Sequence, residues 1–195
     1  MLLRAVRAYN NALQRRPLAV QMISAGIISG GGDVFAQLVL EEGKKPYDPW
    51  RTARFFSLAA FFVAPAVSTW FRVLERVHSV NPKLTPLKRV IIDQSTFGPC
   101  FNAAFLLILR MTEGNSVENA AKKVKNEWLT IWTNSLKLWP AVQIFNFYLA
   151  PLNYRVIIVQ VVAFFWNSYI SYATQNAPKV SFNFAISLFL IEKII

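Results

Sequence analysis

The chain has 195 residues, 54% of them hydrophobic, with one cysteine, one histidine and a formal net charge of +11. A lone cysteine rules out an internal disulfide, and a metal site built from His and Cys is excluded with it. The bases are scattered over short flanks (Arg4, Arg7, Arg15 and Arg16; Arg72, Arg76, Lys83, Lys88 and Arg89; Lys122, Lys123 and Lys125), a pattern that suits anionic lipid and topology control rather than direct nucleic-acid contact.

The first 32 residues hold four arginines and no acid. Leu2, Leu3, Val6, Tyr9 and Leu13 recur at helical spacing, so 1–16 is expected to form an amphipathic N-terminal segment. Such a start resembles a mitochondrial import segment; the plainer reading is an interfacial helix leading into the first span. A membrane crossing needs about 20 mostly apolar residues. Leu18 to Leu40 approaches that length, opened by Pro17, which suits a helix start. A turn-rich polar loop follows from Glu41 to Pro49. A second span is expected from about Trp50 to Leu74, kinked at Pro65. His78 to Pro86 reads as a loop. The third span runs from about Lys88 to Leu109 with an internal break at Gly98-Pro99, and Glu113-Gly114-Asn115 ends it. The charged stretch Asn119 to Glu127 is expected at an interface.

The segment from Trp128 to Ala150 is ambiguous, because it carries Asn134, Lys137, Pro140, Gln143 and Asn146. A lysine at mid-depth costs about 2.5–3.5 kcal/mol on insertion scales. The segment reads as a broken helix kinked at Pro140, an interfacial segment or a span lining water. Val156 to Tyr172 is the better span. The expectation is therefore an all-α integral membrane helix bundle with four or five transmembrane helices. It forms one domain over 1–195, with the bundle at about 17–175 and a tail at 176–195.

Polar and small residues inside these spans fall on stripes. Gly26, Gly30, Asp33 and Gln37 share one face of the first helix, and Gly26 and Gly30 permit close helix packing. Ser57, Ala64 and Ser68 share a second stripe, and Asp93, Phe97, Cys100 and Ala104 a third. Ser135, Trp139, Gln143 and Asn146 form the fourth, and Gln160, Phe164, Asn167 and Ser171 the fifth. One reading is plain packing. The sharper one is a hydrated pathway lined by Asp33, Gln37, Asp93, Gln143, Asn146 and Asn167, since a carboxylate or amide at bilayer depth needs a partner or water. Lys137 either pairs with Asp33 or snorkels to the surface. Trp50, Trp70 and Trp128 read as interfacial anchors, and Cys100 as a buried, inert thiol. No nucleophile–base pair and no phosphate loop is visible, so neither an enzyme nor a bound cofactor is expected.

Several blocks carry a resemblance. They are Gly32-Asp33 with Gln37, Asp93-Gln94 with Phe97 and Pro99-Cys100, Leu138 to Gln143 with Asn146-Phe147-Tyr148, Pro151, Tyr154-Arg155, and Trp166-Asn167-Ser168-Tyr169. Over about residues 1–175 the chain resembles the Mpv-seventeen / twenty-two-kilodalton peroxisomal membrane protein family, and within it the mitochondrial branch. The resemblance implies an inner mitochondrial membrane location, four spans and a channel activity. It also implies links to membrane potential, reactive-oxygen homeostasis and, indirectly, mitochondrial DNA maintenance. Two features depart from the family pattern: Ala64 stands before Pro65 where glycine is frequent, and the chain continues past Asn176. The expected function is a channel or small-solute transporter. Its partners would be the lipid bilayer, small ions or metabolites and, as an open alternative, further copies of itself, with no direct nucleic acid. The rival readings are a non-conducting scaffold of inner-membrane assemblies and a peroxisomal membrane channel.

Overall fold

The computed structural model describes residues 9, 11–12, 14–42, 45–150 and 155–176. Most of the segment 1–16 and nearly all of the tail 176–195 lie outside the described residues, as do Pro151 and Tyr154. The regular structure among the described residues is entirely helical. We label the helices α1 (Pro17–Leu40), α2 (Pro49–Leu74), α3 (Pro82–Thr112), α4 (Val117–Tyr148) and α5 (Arg155–Asn176). By length and composition, α1, α2 and α3 can each cross a membrane.

Local chemistry sets the boundaries. Proline opens α1 and α2, where its missing N–H would have no partner in any case. Asp48 caps α2 by accepting from Trp50 N (2.9 Å) and Arg51 N (3.1 Å). Asn81 caps the start of α3 and Ser116 the start of α4. The turn after α3 passes through Gly114 at φ +87°, a left-handed conformation that glycine adopts without steric penalty.

Two internal prolines are absorbed rather than breaking their helices. A π turn at Ala59–Val63 precedes Ala64-Pro65 in α2, and one at Asp93–Phe97 precedes Gly98-Pro99 in α3. Proline lacks a donor, and its ring crowds the carbonyl one turn back; a widened turn relieves both. The break expected at Gly98-Pro99 is therefore a π turn inside a continuous helix. That turn also rotates the register, so Cys100 leaves the stripe of Asp93 and emerges exposed instead of buried. Ser57 is likewise exposed, outside the buried face formed by Phe55, Leu58 and Ala59. A third π turn, Ala36–Leu40, ends α1.

The core gathers Phe55 and Leu58 of α2, Phe105, Leu106 and Leu109 of α3, Ile131 of α4, and Trp166, Tyr169, Ile170 and Ala173 of α5. Ile23, Ile27, Leu38, Phe61, Ile91, Leu129 and Val161 face outward. Helix α4 spans the ambiguous segment and the charged stretch before it as one helix of 32 residues running through Pro140. Pro140 withholds the N–H that the Leu136 carbonyl would otherwise accept. Lys137 is exposed.

Candidate functional site

Helix α1 lies in contact with α2 along its glycine stripe. A Cβ on Gly26 would come within 2.8 Å of the Phe56 ring, and one on Gly30 within 3.5 Å of Phe56 Cβ. The opposite approach, to α5, is to backbone as well as side chain. A Cβ on Gly32 would stand 3.0 Å from Phe164 O, Ser168 N and Asn167 Cβ. The close fit on both sides leaves Asp33 with 0% exposure.

An ionised carboxylate there must be compensated, and every partner is within reach. Arg51 Nε lies 2.8 Å from Asp33 Oδ1, which also accepts from Ser171 Oγ at 2.5 Å. Oδ2 accepts from Gln37 Nε2 (2.7 Å) and Thr52 Oγ1 (2.6 Å). The Gln37 amide continues to the loop, donating to Asp48 O (3.0 Å) and accepting from Asp48 N (2.7 Å). Arg51 also grips Glu41 Oε1 at 2.7 Å. Asn167, on the α5 face that carries Ser171, accepts from Ser29 Oγ (3.1 Å) and so ties α5 to α1. Asp33 thus pairs with Arg51; Lys137 is not its partner.

A second carboxylate site sits between α2, α3 and α4. Asp93, 7% exposed, opens the π turn of α3. Its Oδ1 accepts from Trp70 Nε1 (2.7 Å); its Oδ2 accepts from Gln94 Nε2 (2.7 Å) and, more weakly, Gln143 Nε2 (3.4 Å). The Trp70 ring is fixed by stacking on Phe97 at 4.9 Å, which in turn stacks on Phe101 at 4.9 Å. Among the described residues Asp93 has no ion pair, in contrast to Asp33. One turn beyond Gln143 on the same helix face, Asn146 is 9% exposed and its Oδ1 is buried without a hydrogen-bond partner. Farther back on α4, the buried Trp132 Nε1 is also unpartnered.

The six residues read from the sequence as pathway-lining therefore fall into two groups. Asp33, Gln37 and Asn167 share the α1–α2–α5 seam, while Asp93 and Gln143 meet at α2–α3–α4, with Asn146 following Gln143. They do not converge on one point. Trp70 and Trp128, expected as interfacial anchors, instead donate inward, to Asp93 and to Pro99 O (2.9 Å) respectively; Trp50 is exposed.

Sequence reasoning passed over a third cluster. Arg110 of α3 forms a two-point pair with Glu127 of α4 (3.1 and 2.6 Å) and contacts Glu113 at 2.8 Å. It also donates to Thr174 O at 2.6 Å. Arg51 and Arg110 look like ordinary flanking bases because each lies near a span end. The legible signal was acids on both sides of each turn: Glu41 and Asp48 near Arg51, Glu113 and Glu127 near Arg110.

No solved structure matches this chain. The family model described as Mpv17 / PMP22 matches residues 110–171, which include Arg110, Gln143, Asn146, Asn167 and Ser171. A Caenorhabditis briggsae protein named "Mitochondrial inner membrane protein Mpv17" is 52% identical over 171 residues, covering 88% of this chain and 93% of its own. The proteins of that name from Caenorhabditis elegans and Homo sapiens are 49% identical over 164 residues and 39% over 171, covering 84% and 87% of this chain and 90% and 97% of their own. With such likeness along most of its length, and with helices able to span a bilayer, the chain belongs to the Mpv17/PMP22 family and resides in the mitochondrial inner membrane.

Proposed function

We propose that the protein is a multi-pass channel or small-solute transporter of the inner membrane rather than an enzyme. The observation that carries this reading is Asp93: a buried carboxylate with N–H donors but no cation among the described residues, beside a helix face bearing an unpartnered amide oxygen. A negative charge at bilayer depth without a basic partner attracts a small cation or water. Lys137 is exposed in mid-helix on α4, so a crossing α4 would give it water or headgroup access.

In this reading α4 and α5 join α1, α2 and α3 in a single membrane domain of four or five spans, with α4 the crossing that faces water. The partners are the bilayer and small ions or metabolites, with self-association compatible with the exposed apolar faces. Any contribution to membrane potential, reactive-oxygen balance and mitochondrial DNA maintenance is indirect, through solute supply.

The saturated Asp33 cluster favours a second reading, a non-conducting scaffold whose polar groups are internal cross-links. Planar bilayers holding the purified protein in potassium chloride separate the two. Discrete currents that follow the protein support conduction; a folded protein that passes no current and releases no entrapped solute from vesicles leaves the scaffold.

A further inference from the structure

Both buried arginines end on one helical turn. Arg51 Nη2 donates to Ser171 O (3.1 Å) and Ser171 Oγ (2.6 Å), and Arg110 Nη2 donates to Thr174 O (2.6 Å). Gln175 Nε2 adds a bond to Glu113 Oε1 at 2.7 Å. Ser171, Thr174 and Gln175 lie in the final described turn of α5, Arg155–Asn176. Each arginine brings carboxylates from other elements. Arg51 brings Asp33 and Glu41, at the end of α1; Arg110 brings Glu113 and Glu127, from the α3 end and from α4. All five helices are thus joined at this end of the bundle, and the α5 turn is the one part that both clasps hold. The Asp93 site, built on the other half of α2 and α3, is held by amide, indole and ring contacts instead.

We infer that the α5 C-terminal turn is a latch, held by the Arg51 and Arg110 clasps, that closes one mouth of the pathway. The inference rests on the conduction reading only for its effect on flux. Buried ion pairs add little net stability compared with apolar packing, but they are satisfied in one geometry only. Pulling the turn away strands charge in a dry interior unless water enters with the motion. The turn therefore has a dry, paired state and a wet, released one, with little between, as a gate requires.

The test uses full-length protein in vesicles with Cys100→Ser and a reporter at Thr174→Cys, which is buried within the turn. A second reporter, Ala60→Cys, is buried in α2 away from the clasps. The rate of labelling by a membrane-impermeant maleimide is measured with Arg51→Gln, Arg110→Gln and both. Each single change is expected to raise labelling at 174 by about 5- to 150-fold, the range of a coupling between sites, with 60 unchanged. The double change is expected to give about the product of the two. Arg51→Lys and Arg110→Lys, which keep the charge but lose the fork, should fall between parent and Gln, and they carry the test if a Gln variant does not fold. Unchanged labelling at 174 in all variants, or an equal rise at 60, overturns the latch. Potassium chloride conductance is read in parallel. Labelling that rises together with current supports the latch as a gate; labelling that rises with no current in any variant keeps the latch and overturns conduction.

Discussion

Arg51 Nε stands 2.8 Å from Asp33 Oδ1, with both side chains withdrawn from solvent. Removing one partner of such a pair strands the other, at about 3–5 kcal/mol. Arg51→Gln and Asp33→Asn should each lower the thermal midpoint in detergent steeply. The double variant should lose clearly less than the sum, because neither charge is then orphaned. Additive losses would show that the two side chains do not depend on one another.

Gly31 and Gly32 are adjacent but face different surroundings. A Cβ on Gly31 meets the Phe164 ring edge at 3.5 Å, an ordinary contact, whereas one on Gly32 meets α5 backbone at 3.0 Å. Backbone cannot step aside as a side chain can. Gly32→Ala is expected to cost about 1–3 kcal/mol by overpacking. Gly31→Ala should be near neutral or slightly stabilising, since alanine is the better helix former. Denaturation of the two variants side by side checks the ordering.

Trp70 serves Asp93 through one N–H while its ring stacks on Phe97. Trp70→Phe keeps most of the stack and removes the donor. The expected loss is about 1.5–3 kcal/mol, that of a hydrogen bond to a charged group, and it should fall to about 0.5–1.5 kcal/mol in an Asp93→Asn background, where the acceptor is a neutral amide oxygen. A double-mutant cycle read by thermal unfolding measures it.

These residues also show what the sequence made legible. Helix ends followed from prolines, caps and glycine: α1 begins at Pro17, α2 ends at Leu74, and Gly114 terminates α3, all as read from the chain. The Asp33–Gln37 pair was visible because the two lie one turn apart on a helix. The acids near Arg51 in the chain hinted at an ion pair, but its pairing with Asp33 was not legible, because that depends on a tertiary approach of α1, α2 and α5. Cys100 was misplaced for a different reason. Helical spacing assumes a constant turn, and the π turn at Asp93–Phe97 shifts the register just before it. The division of the polar stripes into two seams also lies beyond periodicity, which gives each helix a face but does not say which faces meet.

Asn146 buries an oxygen that no described group satisfies. An unmet acceptor of this kind costs about 1–3 kcal/mol unless water reaches it. With Cys100→Ser as background, Asn146→Cys is expected to react with a small hydrophilic thiol reagent in membranes, whereas Ala60→Cys, in the packed interior, resists it. Equal protection of both positions would mean a dry α3–α4 seam.

Reversal potential across a potassium chloride gradient bears most directly on whether Asp93 faces a conducting pathway. The parent protein should favour potassium over chloride, Asp93→Asn should move the reversal potential toward zero, and Asp33→Asn, whose carboxylate is neutralised by Arg51, should move it much less. A folded protein whose selectivity is the same with and without the Asp93 carboxylate would contradict the account.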